Sequence, residues 1–171
     1  MRIRPARLED AEAIAAIYNH AVLHTTATFD TEPVTPESRR KWLERRGPEH
    51  PVVVAEADGA VVGWGALSPW SDRCAYRTSV ELSVYVAPTH HRRGIGRALA
   101  EHLLALAPAL GVHAVLARIC TENEASIALV ERLGFEPCGV QREVGRKFDR
   151  WLDVAVYELI VPSAAGAAGD R

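Results

Sequence analysis

Residues Glu81–Ala98 read E-L-S-V-Y-V-A-P-T-H-H-R-R-G-I-G-R-A, and this segment is the most informative part of the chain. Its first residues belong to an alternating run, Arg77–Val86, which predicts a β-strand. After Arg93, apolar side chains recur every third or fourth residue as far as Gly111, which predicts an α-helix. The segment is therefore a strand, a basic loop with two glycines, and the start of a helix.

That order of elements suits the binding of a phosphate chain. The first N–H groups of a helix have no partner within the helix and carry a partial positive charge, so they attract anions. Gly94 and Gly96 let the backbone approach a phosphate closely, and Arg92, Arg93 and Arg97 add cations. The spacing is neither a dinucleotide fingerprint nor a Walker motif, and a solvated basic helix start remains the alternative.

The segments on either side alternate between strand and helix patterns. Strands are predicted at Met1–Arg4, Pro51–Ala57, Ala60–Leu67, His113–Ile119, Phe135–Val144 and Leu152–Val161, with Ser68–Tyr76 and Gly145–Trp151 as connections. Helices are predicted at Asp10–Val22, from Thr35 to Gly47, and from the capping-box spacing of Thr121 and Glu124 to Gly134. This order predicts one mixed α/β domain over residues 1–162, followed by a frayed tail at 163–171.

Composition narrows the classes of function. The chain has 171 residues and a formal net charge of −2, so nucleic acid binding is not expected. No apolar run is long enough to span a membrane, and the first residues do not resemble a signal peptide. Three cysteines without a C-x-x-C pair favour a reduced, cytoplasmic protein. His20 and His24 are spaced as a metal pair, but no third ligand accompanies them, so no metal is expected.

The motifs identify a family. The strand and loop around H-R-R-G-I-G-R-A-L resemble the acetyl-CoA core of the GNAT superfamily, with His91 in place of its usual Gln or Arg. Five further segments are similar to the phosphinothricin and methionine sulfoximine acetyltransferase branch: I-Y-N-H-A-V, T-F-D-T-E-P-V-T, S-V-Y-V, N-E-A-S-I-A-L-V-E-R-L-G-F and V-G-R-K-F-D-R-W-L-D. The resemblance covers nearly the whole chain and implies a GNAT fold, which is a mostly antiparallel sheet of about seven strands, splayed in the middle and flanked by about four helices.

The resemblance implies where acetyl-CoA binds. The strand Ser83–Val86 should separate from its parallel neighbour, so that the pantetheine arm enters the gap and bonds the main chain of Val84, Tyr85 and Val86. The pyrophosphate should lie on the loop formed by His91, Arg92, Arg93, Gly94, Ile95, Gly96 and Arg97. Asn123 should contact the pantetheine, although a plain helix cap is an equal alternative.

The resemblance also suggests the catalytic groups. Only a neutral amine can attack a thioester, and an α-amino group is largely protonated at neutral pH, so a base is needed. Glu81 matches the carboxylate that the family carries on this strand and is the candidate base. Backbone N–H groups near Val84–Val86 would stabilise the oxyanion. Val130 stands where relatives carry Tyr or His, so the proton donor for the leaving thiolate is undetermined; Tyr85, water or departure as thiolate are the alternatives.

The substrate pocket is expected on the side opposite the coenzyme arm. The resemblance places Phe29, Asp30, Ser71, Asp72, Arg73, Arg77, Leu82 and Ser83 in its walls. Arg73 or Arg77 could hold a carboxylate or phosphinate in a two-pronged contact. The predicted substrate is a small amino-acid-like amine, and a homodimer with Gly145–Trp151 at its interface is plausible from the family. Two alternatives stay open: acetylation of a peptide or protein N-terminus, and a non-catalytic acyl-CoA sensor.

Overall fold

Seven strands form one sheet in the order β1-β2-β3-β4-β5-β7-β6 in a computed structural model that describes residues 1–162. The predicted tail, 163–171, lies outside the described residues. The strands are β1 Arg2–Pro5, β2 Val52–Ala57, β3 Ala60–Pro69, β4 Ser79–Val86, β5 Ala114–Cys120, β6 Glu136–Lys147 and β7 Arg150–Ile160. The helices are α1 Ala11–His24, α2 Pro36–Glu44, α3 Ile95–Leu106 and α4 Glu124–Arg132.

The sheet is antiparallel except at its centre. β4 and β5 run parallel but pair only from Ser79 to Glu81, against Ala114 to Leu116. Beyond Glu81 the two strands separate, while β4 continues to pair with β3 and β5 with β7. The predicted seven-stranded sheet, splayed in the middle, is therefore confirmed.

Each face of the sheet has its own hydrophobic core. One core joins α3 and α4 to the sheet through Leu99, Leu103, Val115 and Val130. The other joins α1 and α2 to β2 and β3, with Trp64 only 2% exposed at its centre. Because side chains alternate along a strand, neighbouring residues of β4 belong to opposite cores.

Local sequence explains the helix ends. The Thr35 side chain accepts a hydrogen bond from the N–H of Ser38, and Pro36 occupies the first helical position, as predicted. The first residue of α4 is Glu124, and its cap is Asn123 rather than the predicted Thr121. α3 ends at Leu106, five residues before the predicted Gly111, because Pro108 has no N–H with which to continue the helix.

The connection between the last two strands differs from the prediction. Residues Gly145–Trp151 were expected to be a loop, but β6 continues to Lys147 and β7 begins at Arg150. Only Phe148 and Asp149 form the turn, with φ angles of 52° and 58°. Two successive positive φ angles match the right-handed twist of a two-residue hairpin, although neither residue is the usual glycine.

No helix within the described residues is long and apolar enough to cross a membrane.

Candidate active site at the splayed strands

The splay exposes main-chain groups in the middle of the sheet. Past Glu81, the edge of β4 that faces β5 has no strand partner among the described residues, from Leu82 to Val86. β5 has a matching free edge from Ala117 to Cys120. Such groups need hydrogen-bond partners, so the gap can receive an extended polar chain.

The α3 end of the gap presents a set of free amides. The backbone N–H groups of residues 92–97 have no backbone acceptor within residues 1–162. Arg92 and Gly94 have φ angles of 61° and 76°, which turn the loop so that it leads into the helix. Gly94 suits this conformation because it has no Cβ. The start of α3 therefore has unpaired N–H groups, the kind of feature that attracts anions.

The four predicted polar side chains of this loop differ in their contacts. Arg92 and Arg93 are exposed and have no side-chain partner in the described part of the chain. Arg97 donates to Glu101 one helical turn later, at 2.7 Å, so its charge is partly committed. His91 Nε2 lies 2.9 Å from the carbonyl oxygen of Val86 and ties the loop to the end of β4.

The side chains of Val84 and Val86 lie beside the start of α3. A Cβ atom added to Gly96 would stand 3.7 Å from a methyl group of each valine. Ile95 is buried in the core on this face, so only its backbone can reach a ligand. The structure thus brings the free edge of β4 and the basic loop together, as the sequence predicted.

Asn123, which caps α4, and Val130, within α4, both have structural roles. Asn123 Oδ1 accepts a hydrogen bond from the N–H of Ser126 at 3.2 Å, which is the helix-cap role. The amide nitrogen of Asn123 remains available as a donor. Val130 is only 4% exposed and belongs to the core that contains Phe135. The position at which the family resemblance suggested a proton donor is therefore filled by core packing in this chain.

Glu81 stands at the point where the strands separate. Both of its carboxylate oxygens accept hydrogen bonds from Arg118 on β5, from Nε at 2.8 Å and from Nη2 at 2.6 Å. The Glu81 side chain is 18% exposed, and that of Arg118 is 51% exposed. The Arg118 guanidinium also lies 5.2 Å from the ring centre of Trp70. The contact with Glu81 raises the pKa of Arg118.

Tyr85 lies on the same face of β4 as Glu81 and packs among aromatic rings. Its ring stacks on Trp64 at 4.8 Å and meets the edge of Tyr18 at 5.1 Å. Its hydroxyl lies 3.5 Å from the carbonyl oxygen of Ala27. Burial raises the pKa of Tyr85 above its usual value, which makes it a poor proton donor at neutral pH. Leu82 points away from this face, into the core with Leu99.

The segment after α1 carries two of the predicted substrate residues. Asp30 accepts a hydrogen bond from the Tyr18 hydroxyl at 2.6 Å, and the same hydroxyl lies 2.9 Å from Thr28 Oγ1. Burial, followed by the hydrogen bond to Asp30, raises the pKa of Tyr18 to about 12. The ring of Phe29 lies so close to Gly145 of β6 that any side chain there would collide with it.

Lys147 anchors the segment that follows α1. Its side chain is 4% exposed, and its ammonium group donates to three carbonyl oxygens, of Ala21 at 3.4 Å, Thr25 at 2.8 Å and Thr28 at 2.7 Å. Burial lowers the pKa of Lys147, and the nearby Asp30 carboxylate opposes that shift. The last turn of α1 and the segment that follows it are therefore fixed by a residue more than 100 positions away.

The remaining predicted pocket residues are less constrained. Asp72, Arg73 and Arg77 are exposed and make no side-chain hydrogen bond within residues 1–162. Ser71 accepts a hydrogen bond from the N–H of Arg73 at 3.3 Å. Ser83 is on the face of Glu81, two residues along β4. The structure does not bring Arg73 or Arg77 into contact with Glu81.

Two residues of this site were missed by the sequence analysis. Arg118 was detectable, since it is a single cation inside an apolar strand, A-V-L-A-R-I-C. Lys147 gave no comparable signal, because its partners are remote in sequence. Within the described residues, no group of three or more His, Cys, Asp or Glu side chains could hold a metal ion.

Comparison with known proteins places these features in a family. The sequence matches the Acetyltransferase (GNAT) family over residues 14–135. It is 44% identical to a phosphinothricin N-acetyltransferase of Streptomyces coelicolor, over 92% of this chain and 95% of that protein. It is 41% identical to an L-methionine sulfoximine/L-methionine sulfone acetyltransferase of Salmonella typhimurium, over 93% of this chain and 94% of that protein.

Two solved structures show the same fold. An acetyltransferase from Salmonella typhimurium, solved with its cofactor acetyl-CoA, has a TM-score of 0.93 and 40% identity, covering 100% of this chain and 98% of that chain. A ribosomal-protein-alanine N-acetyltransferase from Brucella melitensis has a TM-score of 0.91 and 43% identity, covering 94% and 99%. The predicted fold and enzyme class are confirmed. The chain belongs to the GNAT family of acetyltransferases.

Proposed function

We propose that this protein transfers the acetyl group of acetyl-CoA to the primary amine of a small amino-acid-like substrate of the phosphinothricin or methionine sulfoximine type. The chain is a GNAT acetyltransferase, and acetyl-CoA is its co-substrate. One observation carries the proposal: Glu81 stands where β4 and β5 separate, on the same face of β4 as Tyr85, whose hydroxyl lies 3.5 Å from the carbonyl oxygen of Ala27 just before Phe29 and Asp30. The names of the two relatives support this substrate class.

In this proposal, one side of the splay binds the coenzyme and the other side binds the amine. The free main chain of Val84–Val86 and the amide of Asn123 hold the pantetheine arm, and residues 91–97 hold the pyrophosphate. The fit is supported by the free amides of that loop and by the open space around Gly94, where an added Cβ would have no neighbour within 4 Å. Arg97 contributes mainly through its backbone, because its side chain is paired with Glu101.

Glu81 is the proposed general base. Acetyl-CoA supplies a thioester carbon, to which the amine nitrogen bonds as the carbon–sulfur bond breaks. Glu81 accepts the proton that the nitrogen must lose, either directly or through one water molecule. Backbone N–H groups of the free β4 edge donate to the carbonyl oxygen as it gains charge.

The leaving sulfur has no obvious side-chain proton donor. Val130 is apolar and buried, and the pKa of Tyr85 is raised by burial. We therefore propose that the coenzyme departs as a thiolate and is protonated by solvent.

The acceptor pocket is proposed to use Phe29, Asp30 and Ser83, with the loop Ser71–Arg73 and Arg77 at its mouth. The exposed Arg73 and Arg77 can bind the substrate's carboxylate or phosphinate. The Leu82 side chain is left out, because it faces the other core.

We also propose that the enzyme works in the cytoplasm as a homodimer. Four apolar side chains on the β6–β7 hairpin, Val140, Val144, Phe148 and Trp151, are between 48% and 62% exposed. A second copy of this hairpin would cover them. A molecular mass near 19 kDa in light scattering, corresponding to the monomer, would contradict the dimer.

Acetyl transfer to a panel of amines tests the function. Thiol release from acetyl-CoA is measured with phosphinothricin, methionine sulfoximine, methionine sulfone, ordinary amino acids and short peptides beginning with Ala. We expect kcat/KM of about 10⁴ M⁻¹s⁻¹ or more with an amino-acid analogue. Activity with the peptides alone would instead favour protein acetylation, as the name of the Brucella melitensis structure suggests. Acetyl-CoA binding without any turnover would favour a sensor.

The Glu81→Gln variant tests the base. We expect kcat/KM to fall about 10²–10⁴-fold while acetyl-CoA affinity is retained. Glu56→Gln is the matched control, since Glu56 is also a strand residue paired with an arginine but lies at the β1 edge of the sheet. A Glu81→Gln enzyme as active as Glu56→Gln would exclude Glu81 as the base.

A further inference from the structure

The ion pair between Glu81 and Arg118 spans the splay itself. In the sheet, Glu81 is paired with Leu116, which is the last parallel pair before the strands separate. Arg118 lies two residues beyond Leu116, on the part of β5 that no longer pairs with β4. Its side chain crosses back over the gap to reach Glu81. These two are the only side-chain hydrogen bonds between β4 and β5 within the described residues.

The geometry of the pair fixes the carboxylate. Two parallel hydrogen bonds, at 2.8 and 2.6 Å, set both the position and the plane of the Glu81 carboxylate. A single contact would leave the carboxylate free to rotate about its last side-chain bond. Each carboxylate oxygen keeps a further lone pair, so the bidentate contact leaves Glu81 able to accept a proton.

The guanidinium is itself held from the other side. Arg118 lies over the ring of Trp70, at 5.2 Å from the ring centre, and Trp70 is the residue that precedes the loop of Ser71. The backbone N–H of Trp70 bonds the carbonyl oxygen of Ser79 at the start of β4. Arg118 is thus fixed between a strand-anchored ring and the carboxylate, although half of its side chain is exposed.

We propose that Arg118 is the positioning residue of the general base: it holds the Glu81 carboxylate at the mouth of the splay, in line with the amine that approaches from the acceptor face. The proposal rests on the proposed role of Glu81. Arg118 acts through Glu81 and need not touch either substrate.

The experiment is a double-mutant cycle on steady-state kinetics with the full chain. Arg118→Gln is expected to lower kcat/KM for the amine about 10–100-fold, because a misplacement of about 1 Å can cost 10²-fold. The KM for acetyl-CoA should stay within about twofold of the wild type, since the coenzyme loop is untouched. In the Glu81→Gln background, Arg118→Gln should cost less than about twofold, because its partner has already been removed.

Two further variants serve as controls. Arg118→Lys keeps the charge but not the fork, so it should recover only part of the lost activity and serves if Arg118→Gln does not fold. Arg7→Gln breaks an exposed ion pair outside the proposed sites, with Glu9 at 3.3 Å, and should stay within about twofold of the wild type.

The outcomes separate the two hypotheses. Full activity of Arg118→Gln beside an impaired Glu81→Gln would overturn the positioning role and leave the base intact. Full activity of Glu81→Gln would overturn the base itself. Losses that multiply in the double mutant would show that Arg118 acts independently of Glu81, for example on the substrate, and would also overturn the positioning role.

Discussion

The proposed coenzyme side and the proposed acceptor side of the splay are built in different ways. The coenzyme side is one continuous segment, from the free edge of β4 through residues 91–97 into α3, and its groups are mostly exposed. The acceptor side is assembled from α1, the segment after it, and the β6–β7 hairpin, and buried polar contacts hold it together. The coenzyme side is thus formed by residues close in sequence and is largely exposed, whereas the acceptor side is formed by residues remote in sequence and is buried.

This difference predicts how the two sides respond to substitution. On the coenzyme side, a change should alter acetyl-CoA affinity without altering stability, because few native contacts are lost. On the acceptor side, a change should alter stability and the amine KM together, because the same contacts that hold the pocket also hold the fold.

The largest expected effect is that of Lys147→Met. The substitution leaves three backbone carbonyl oxygens at the end of α1 without their donor, two of them at 2.7 and 2.8 Å. We expect the free energy of unfolding to fall by about 3 kcal/mol, measured by urea denaturation. The amine KM should rise at least about tenfold, while the acetyl-CoA KM stays unchanged.

The control for this change is Lys41→Met. Lys41 is 59% exposed and pairs with Glu37 on the surface of α2, so its loss should cost less than about 0.5 kcal/mol. Equal effects of the two lysine substitutions would contradict the claim that Lys147 organises the acceptor side.

The same contrast explains what the sequence could predict. The local patterns gave the strands, the helices and the basic loop, since the alternation in β4 and the glycines before α3 depend on neighbouring residues. The C-terminal end of α3 and the β6–β7 turn were predicted wrongly, because Pro108 and the positive φ angles of Phe148 and Asp149 act against the surrounding pattern.

The candidate site shows the same difference between local and non-local features. Glu81 and residues 91–97 could be named from motifs, but the partners that fix them could not. Lys147 looks like an ordinary surface lysine in V-G-R-K-F-D, and only the fold shows that it reaches the carbonyl of Thr28. Arg118 was visible as a cation in an apolar strand, yet its partner depends on the pairing of β4 with β5.

Gly145→Ala should have the next largest effect. The ring of Phe29 occupies the space that the new methyl group needs, so the ring or the strand must move. We expect a loss of about 2 kcal/mol in the free energy of unfolding and a severalfold higher amine KM.

The double variant with Phe29→Ala isolates the cause. Once the ring is absent, Gly145→Ala should cost less than about 0.5 kcal/mol more than Phe29→Ala alone. If Gly145→Ala lowers the free energy of unfolding equally in the Phe29→Ala background, the strain does not come from the Phe29 ring and lies elsewhere in β6.

Gly96→Ala tests the coenzyme side. A Cβ at this position meets only ordinary contacts, the nearest at 3.7 Å, and alanine favours a helix. We expect thermal stability to be equal or slightly higher, while acetyl-CoA binding measured by titration weakens about tenfold, or about 1.4 kcal/mol. A loss of stability together with an unchanged acetyl-CoA affinity would reverse the contrast between the two sides.

Tyr18→Phe gives the smallest effect and depends on pH. At pH 8 the wild type should be more stable by about 1 kcal/mol, through the hydrogen bonds of the Tyr18 hydroxyl to Asp30 and Thr28. Burial raises the folded-state pKa of Tyr18 to about 12, above the usual value of 10.0. Between these values the unfolded chain loses the proton while the folded chain keeps it, so stability falls as pH rises.

The difference between the two proteins isolates this residue from every other group that titrates in alkali. Phenylalanine does not ionise, so the advantage of the wild type over Tyr18→Phe should be complete below pH 10 and should shrink from about pH 10 to about pH 12. Urea denaturation of both proteins at pH 8, 9.5 and 11 measures it. A constant difference across these pH values would mean that the Tyr18 hydroxyl is not held by burial and Asp30, and would weaken the description of the acceptor side as a buried polar assembly.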